Sequence, residues 1–566
     1  MAGTDATAAA TPDGTVPASG PVLTGHPAGF PPVGGAYAKY VLLVLVVVYI
    51  FNFIDRSILT ILGPYIQKDL GLSDGQLGLL SGTVFALFYG LFGLALGRLA
   101  DSWVRTWTIA LGLSVWSGMT ALSGFATNFG TLAAARVGVG VGEASASPAA
   151  YSLISDWFPK ERRATALAIY SSGIFIGAGL SFAISGVVVE GWNKAFAGGG
   201  APLGLAGWQA AFLIIGVPGL LLAALVLTLR EPPRGLADGV ISTAPREPRP
   251  FRKTLAELGT VLPPFTIINL RRAGAPAAII RANLVGMALL VLVAIALTAW
   301  TDGLVPAEKL KTLATIGGMP LTTNALQWAS MALGIYGVFS WSQSLKVRDK
   351  PLYALTFGTP TFLQAMACGT LISFGSYAVG AWVYIYAFRT LGATPALAGL
   401  WLGLGSAVGG WFGTSMGGVL GDAWRKRSST GRLKVTFLAS VLPLPIGIFA
   451  YTTTDLNVFY ACSFLATLIG TFWLGGITAT MQDLVLPRMR GSAGALFFLG
   501  TTLIGLGNGP YIVGLISDAS GSLRAAILST YIGAPVVWLL LVLAIRALPR
   551  AEASVIERAR AAGEPI

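Results

Sequence analysis

Histidine is nearly absent from this 566-residue chain: the one copy, His26, lies in the N-terminal stretch. No imidazole is therefore available in the body of the chain for acid–base or metal chemistry. Cysteine is almost as scarce. Cys368 and Cys462 both fall in apolar segments, which argues against a disulfide framework or a metal site. No G-x-x-x-x-G-K-[ST] stretch occurs, which argues against ATP hydrolysis by this chain. With no histidine, paired cysteines or nucleophile motif, an enzyme is not expected, and neither is a cofactor. Charge is the largest shortfall. Only 11% of residues are charged, against roughly 25% in soluble domains.

Apolar length is what the chain has instead. Hydrophobic residues make up 54% and mean hydropathy is +0.72. Runs such as Leu77–Leu96, Leu284–Trp300 and Ala525–Ile545 are long enough to span a bilayer as helices. They lack the alternation that a barrel requires. The fold class is therefore an all-α polytopic membrane protein. Helices are predicted at about 38–66, 76–98, 106–126, 130–156, 164–189, 208–229, 283–300, 322–345, 358–388, 395–417, 433–453, 457–481, 493–516 and 524–547. That makes fourteen.

Alternating the sides tests this topology. With both termini in the cytoplasm, 29 of the 37 basic residues fall in inner segments and six in outer ones, leaving Arg56 and Arg136 within helices. This bias follows the positive-inside rule and accounts for the net charge of +13 without nucleic acid as a partner.

An internal repeat divides the chain. Gly97-Arg-Leu-Ala-Asp101 followed by Arg105 recurs as Gly418-Val-Leu-Gly-Asp422 followed by Lys426, and Pro159-Lys-Glu-Arg162 recurs as Pro487-Arg-Met-Arg490. The expected organisation is a disordered cytoplasmic tail (1–36), an N-terminal six-helix bundle (37–230), a loop with an extra transmembrane hairpin (231–350), a C-terminal six-helix bundle (351–548) and a short cytoplasmic tail (549–566). The hairpin reads as lipid-facing. Parallel repeats of this kind mark transporters.

The stretch GRLADSWVR (97–105) resembles the loop motif between helices 2 and 3 of the major facilitator superfamily, with Ser102 and Val104 departing from it. Arg136-Val-Gly-Val-Gly140 resembles the superfamily's helix 4 motif. NFIDRSIL (52–59), LSDGQLGLLSGTVFALFYG (72–90), ARVGVGVGEASASPAAYSLISDWFP (135–159) and REPPRG (230–235) are similar to Spinster-like proteins. The resemblance implies two six-helix bundles around a central cavity, with helices 1 and 4 lining its N-terminal half. It also implies an amphiphilic, lysolipid- or sphingoid-like substrate.

Four charges fall well inside predicted helices: Asp55, Arg56, Arg136 and Glu143. Each costs roughly 2.5–3.5 kcal/mol at a helix centre. At about 1.5 Å per residue, Asp55 lies about 18 Å from the outer end of helix 1, while Arg136 and Glu143 lie about 12 and 22 Å below the outer end of helix 4. Asp55 and Arg56 therefore fall between Arg136 and Glu143 in depth. One reading makes the four structural ion pairs. The other makes them a charged site in a transport pathway, with Arg136, Arg56 and Asn52 binding substrate and Asp55 and Glu143 carrying protons. Arg56 is expected to pair mainly with Asp55.

A second group reads as an inner gate: Gly97, Asp101, Arg105, Asp156, Gly418 and Asp422. Gly97 permits a tight approach, Asp101 caps a helix of the other half, and Arg105 pairs with Asp156, all with the inner side closed. The expected function is alternating-access secondary transport, proton-coupled, of an amphiphilic anion, by a monomer in the plasma (inner) membrane. Its partners are then a small-molecule or lipid-like substrate, protons and membrane lipids. Transport of small organic or aromatic acids or drugs is the alternative, and a non-transporting membrane sensor is a reading of another class.

Overall fold

The computed structural model describes residues 22–24, 29–238, 240–242, 248–259, 261–486 and 489–564; a few side chains within these, that of Asp101 among them, lie outside the description. The chain is all-α and polytopic. Its first half comprises α1 (Ala36–Leu70), α2 in two pieces (Asp74–Ser81 and Thr83–Ser102), α3 (Arg105–Ser123), α4 in two pieces (Phe129–Glu143 and Ala146–Trp157), α5 (Lys160–Ala195) and α6 (Gly207–Leu227). An inserted pair follows, α7 (Ala277–Leu304) and α8 (Thr323–Arg348). The second half comprises α9 (Pro360–Leu391), α10 (Pro395–Arg425), α11 (Gly431–Thr452), α12 (Leu456–Asp483), α13 (Ser492–Ser520) and α14 (Leu523–Ala553). Among the described residues, eleven of these helices are long and apolar enough to cross a membrane. The other three are α3, α4 and α8.

Two predicted helices are interrupted, each for a local reason. α2 breaks at Gly82, where a Cβ would stand 2.6 Å from the Leu506 carbonyl oxygen. α4 breaks directly after Glu143. Pro148 has no N–H to offer the Ala144 carbonyl, and the Ser145 hydroxyl donates to the Gly142 carbonyl at 2.9 Å. The glycines of α4 set its packing. A Cβ at Gly140 would meet the Phe85 carbonyl at 2.8 Å, and one at Gly142 would meet the Trp116 amide at 2.7 Å. α4 is thereby wedged between α2 and α3, backbone against backbone, as small residues permit in membranes.

The inserted pair is only half lipid-facing. α7 has 6% of its most apolar window buried, against 56% for α1. α8 differs from the expectation: Thr323, Asn324, Gln327, Ser340, Ser342 and Gln343 are all buried. In hydrocarbon such groups need partners, and Asn324 and Gln327 find theirs at the seam between the halves. Gln327 accepts from the Thr83 hydroxyl in α2 and donates to Asn508 Oδ1 in α13 at 2.8 Å. Tyr511 of α13 donates to Asn324 Oδ1 at 2.6 Å. A short antiparallel hairpin joins α7 to α8, turning at Gly317 and Gly318, both with positive φ.

The tail expected to be disordered is partly tied down in its described portion. Gly34 donates its N–H to the Trp157 carbonyl at 2.9 Å, and Phe30 stacks on Trp157.

Candidate functional site

α1 and α4 bring the four intramembrane charges together, and all but Arg56 are buried to 1% exposure or less. Arg56 donates from Nε and Nη2 to one oxygen of Glu143, at 3.2 and 2.8 Å. The expected Asp55 partner is thus corrected to Glu143. Adjacent residues on a helix point about 100° apart, so Asp55 and Arg56 face different neighbours. Three rings box the Arg56 guanidinium: Phe53 and Phe85 at 4.7 Å and Tyr89 at 4.9 Å. Such a box holds a cation in place of water. Asn52 is buried beside Glu143.

Arg136 uses one nitrogen, donating from Nη1 to the backbone carbonyl of Asp55 at 3.2 Å, and its guanidinium lies 5.2 Å from the Phe85 ring centre. Arg136 Nε and Nη2, both Asp55 carboxylate oxygens and Glu143 Oε1 have no hydrogen-bond partner among the described residues. Buried polar groups are normally satisfied. These five are the charged-group atoms among the unsatisfied ones of the first half, which also include Trp116 Nε1 and Thr120 Oγ1 beside Asp55.

Arg105 lies at the start of α3 and is fully buried. It is ion-paired to Asp156, donates from Nε to Glu231 at 2.7 Å, and reaches Ser152 and the Pro232 carbonyl, each at 2.8 Å. Glu231 also accepts from the Thr106 amide, and Asp156 from the Gly235 amide. The REPPRG segment is thereby stapled over the ends of α3 and α4. Glu231 was missed from sequence, although it sits in a stretch already singled out.

Of the other gate residues, whose expected contacts need the inner side closed, Gly97, Gly418 and Asp422 show no close contact with the other half among the described residues. At Gly97 the nearest atoms to a Cβ are those of Pro148 at 3.9 Å, and at Gly418 nothing lies within 4 Å; neither glycine is closely approached. Asp422 pairs within its own half, with Arg432 at 2.7 Å. The predicted match of Arg105 to Lys426 is corrected as well. Arg432 starts the third helix of the second half and pairs with Asp483 at 2.7 Å. Both stand 327 residues on from Arg105 and Asp156. The loop before the third helix is longer in the second half, which displaced the sequence match.

The polar seam between the halves lies at the far end, away from both termini. Arg389 at the end of α9 donates to Asp74 at 2.9 and 3.1 Å and to Gln67. Asp518 accepts from the Asp74 and Gly75 amides at 3.2 and 2.6 Å. A Cβ at Gly78 would stand 2.5 Å from the Pro510 carbonyl. Sequence reading passed over this seam because Asp74 and Arg389 look like ordinary loop charges until the halves are brought together.

The sequence profile described as Major Facilitator Superfamily matches residues 45–385. An MFS-type efflux pump of Mycolicibacterium smegmatis is 26% identical over 476 residues, covering 84% of this chain and 83% of the pump. Protein spinster of Drosophila melanogaster is 30% identical over 200 residues, 35% of this chain and 31% of that protein. A probable L-galactonate transporter of Escherichia coli is 32% identical over 182 residues, 32% of this chain and 37% of that protein. The chain thus spans only about a third of the latter two. A bacterial homologue of the lysosomal transporter Spinster superposes with a TM-score of 0.64 at 24% identity, covering 91% of this chain and 98% of that one. These matches are to transporters rather than enzymes. The chain is an integral membrane protein with two six-helix bundles and an inserted helix pair, and it belongs to the Major Facilitator Superfamily.

Proposed function

We propose that this transporter moves an amphiphilic, lysolipid- or sphingoid-like anion by proton-coupled alternating access, with both termini in the cytoplasm and the plasma (inner) membrane as its site. The observation that carries this reading is the unsatisfied pair of Arg136 nitrogens beside unsatisfied carboxylate oxygens of Asp55 and Glu143. Arg136 has a planar fork suited to a phosphate or carboxylate. Asp55 and Glu143 are the acids within reach, and with no histidine in the membrane they are the groups left to carry protons. A proton on Glu143 weakens its hold on Arg56, so protonation of the carboxylates frees the cations for the anionic substrate. Asn52 lines the same place. The aromatic box around Arg56 and a second half whose one buried charge among the described residues, Asp518, lies at the far seam favour a substrate with one polar and one apolar end.

Small sugar acids are the second reading, favoured by the similarity to the L-galactonate transporter. Orientation is supported by the basic residues gathered at the end holding the termini. In that orientation the polar seam at Asp74 and Arg389 closes the outer side.

The experiment is uptake and binding in proteoliposomes with lysophospholipid, hexonate and drug as separate substrates, for the wild type and Arg136→Lys. Lysophospholipid uptake that falls by about tenfold or more in Arg136→Lys, at an unchanged melting temperature, is expected; a lost charge-assisted hydrogen bond is worth about 1.5–3 kcal/mol. Uptake of hexonate alone overturns the amphiphile. Near-normal transport by Arg136→Lys overturns the headgroup role, and a matching loss of melting temperature makes the cluster structural.

A further inference from the structure

Away from the central cluster, the two terminal helices of the second half leave a basic groove at the end of the molecule that holds the termini. It has a volume of about 480 Å³ and is lined by the start of α9 (Thr359, Pro360), the end of α14 and the short helix Val555–Ala561 that follows. Three arginines face it: Arg546, Arg550 and Arg558. No carboxylate is among its lining residues.

The three arginines are not alike. Arg558 is held in place, bonding Thr359 and donating to the Ala551 carbonyl at 2.8 Å and the Ser554 hydroxyl at 3.1 Å. Arg546 and Arg550 are exposed, and among the described residues neither guanidinium has an ion-pair or hydrogen-bond partner. They lie one turn apart and so share a face of α14. The Thr359 side chain does not cap α9, so the positive end of that 32-residue helix adds to the same field.

The position supplies the second half of the argument. The spans Pro360–Leu391 and Leu523–Ala553 both end at this groove. Its floor includes Leu543, which is 40% exposed on a membrane helix. An apolar wall within the hydrocarbon therefore runs directly into a cluster of arginines at the membrane surface. Basic pockets between transmembrane helices at that depth bind lipid headgroups.

We infer that this groove is a binding site for the phosphate headgroup of an anionic phospholipid, with Arg546 and Arg550 as the phosphate ligands, Arg558 as a fixed cation behind them, and Leu543 and Ala547 against an acyl chain. The site lies wholly within the second half and is separate from the transport cluster.

The test uses the full-length protein reconstituted in mixed phosphatidylcholine and phosphatidylglycerol vesicles, extracted and weighed by native mass spectrometry. The wild type should retain phosphatidylglycerol in preference to phosphatidylcholine. Arg546→Gln/Arg550→Gln should weaken that retention by on the order of thirtyfold, since each arginine near an anionic surface contributes roughly a fivefold factor. The control Arg271→Gln/Arg272→Gln removes two exposed arginines elsewhere and should leave retention unchanged. An equal loss in the control overturns the site in favour of general surface charge. Displacement of the lipid by inorganic phosphate at matching concentration overturns the lipid reading in favour of a free-anion site. Unchanged retention in the groove variant overturns the proposal altogether.

Discussion

Arg105 and Arg432 occupy the same place in the two halves. Each begins a third helix and holds the aspartate that ends the fourth, Asp156 in one half and Asp483 in the other. Their surroundings differ. Arg105 is fully buried and sealed by Glu231 and the Pro232 carbonyl, whereas the Arg432 side chain is 19% exposed and shares itself with Asp422, which is 62% exposed. The contrast sharpens toward the centre. Of the six charged residues buried among the described ones, five belong to the first half and only Asp518 to the second. The glycines that end α1 and α9 in left-handed conformation, Gly71 and Gly392, stand 321 residues apart. At that offset Asp55 and Arg56 become Ser376 and Tyr377. At the clamp's offset of 327, Arg136 and Glu143 become Ser463 and Gly470. The repeat has kept its scaffold and its end clamps, while ionisable chemistry has stayed in one half. A binding site between two such halves is charged on one wall and aromatic or hydroxylic on the other.

The strongest way to break that comparison is to neutralise the charged wall. Glu143→Gln leaves the Arg56 guanidinium without its acid, and losing one partner of a buried pair costs about 3–5 kcal/mol. The aromatic box offsets part of this. The expected outcome is a lower melting temperature, loss of pH-driven accumulation and partial survival of substrate exchange. Arg56→Gln/Glu143→Gln should recover most of the melting temperature without recovering accumulation. If the double variant accumulates substrate normally, the cluster holds the helices together and does nothing more.

How much of this was legible from the residues varies with the physics involved. The helix count was, because apolar length and the cost of unpaired backbone in lipid leave few alternatives. The depth of the cluster was, because rise per residue is fixed. The pairing inside the cluster was not: Arg56 reaches Glu143 rather than Asp55 because helix rotation, set by contacts such as Gly140 on the Phe85 carbonyl, decides which side chain faces which. The gate glycine Gly97 was read for a close approach that needs the inner side closed and is absent here, where the polar contacts between the halves gather at the opposite end. The role of α8 was invisible, because Gln327 means nothing until Thr83 and Asn508 come from two distant segments to meet it.

Gln327 gives a sharper and smaller test. It is fully buried and hydrogen-bonds both halves at once. Gln327→Leu leaves Asn508 Oδ1 short of its donor, while Thr83 keeps the Gly507 carbonyl, at a cost of about 1–3 kcal/mol. The loss should fall on the conformation seen here more than on one in which α2 and α13 move apart. The expected outcome is a change in the balance of cysteine accessibility from the two sides, with the central cluster's affinity unchanged in each conformation. A variant that alters melting temperature but not accessibility would make α8 a passive filler of the seam.

The smallest expected effect is at the seam itself. Arg389 joins α9 to α1 and α2 through Gln67 and Asp74, but its side chain is 33% exposed, so solvent screening limits the pair to about 1 kcal/mol or less. Arg389→Gln retains a donor for Gln67 and removes the charge facing Asp74. The backbone contacts nearby remain, namely Gly78 against Pro510 and the Asp74 and Gly75 amides on Asp518. The variant should therefore transport nearly as well as the wild type and shift the conformational balance by no more than about fivefold, 1 kcal/mol being roughly a fivefold change in an equilibrium. Accessibility of a cysteine placed at Ser73, read from the far side, measures that shift. A shift of a hundredfold would mean that the ion pair, rather than the close backbone packing beneath it, holds this end of the two halves together, and the order of effects from centre to rim would be reversed.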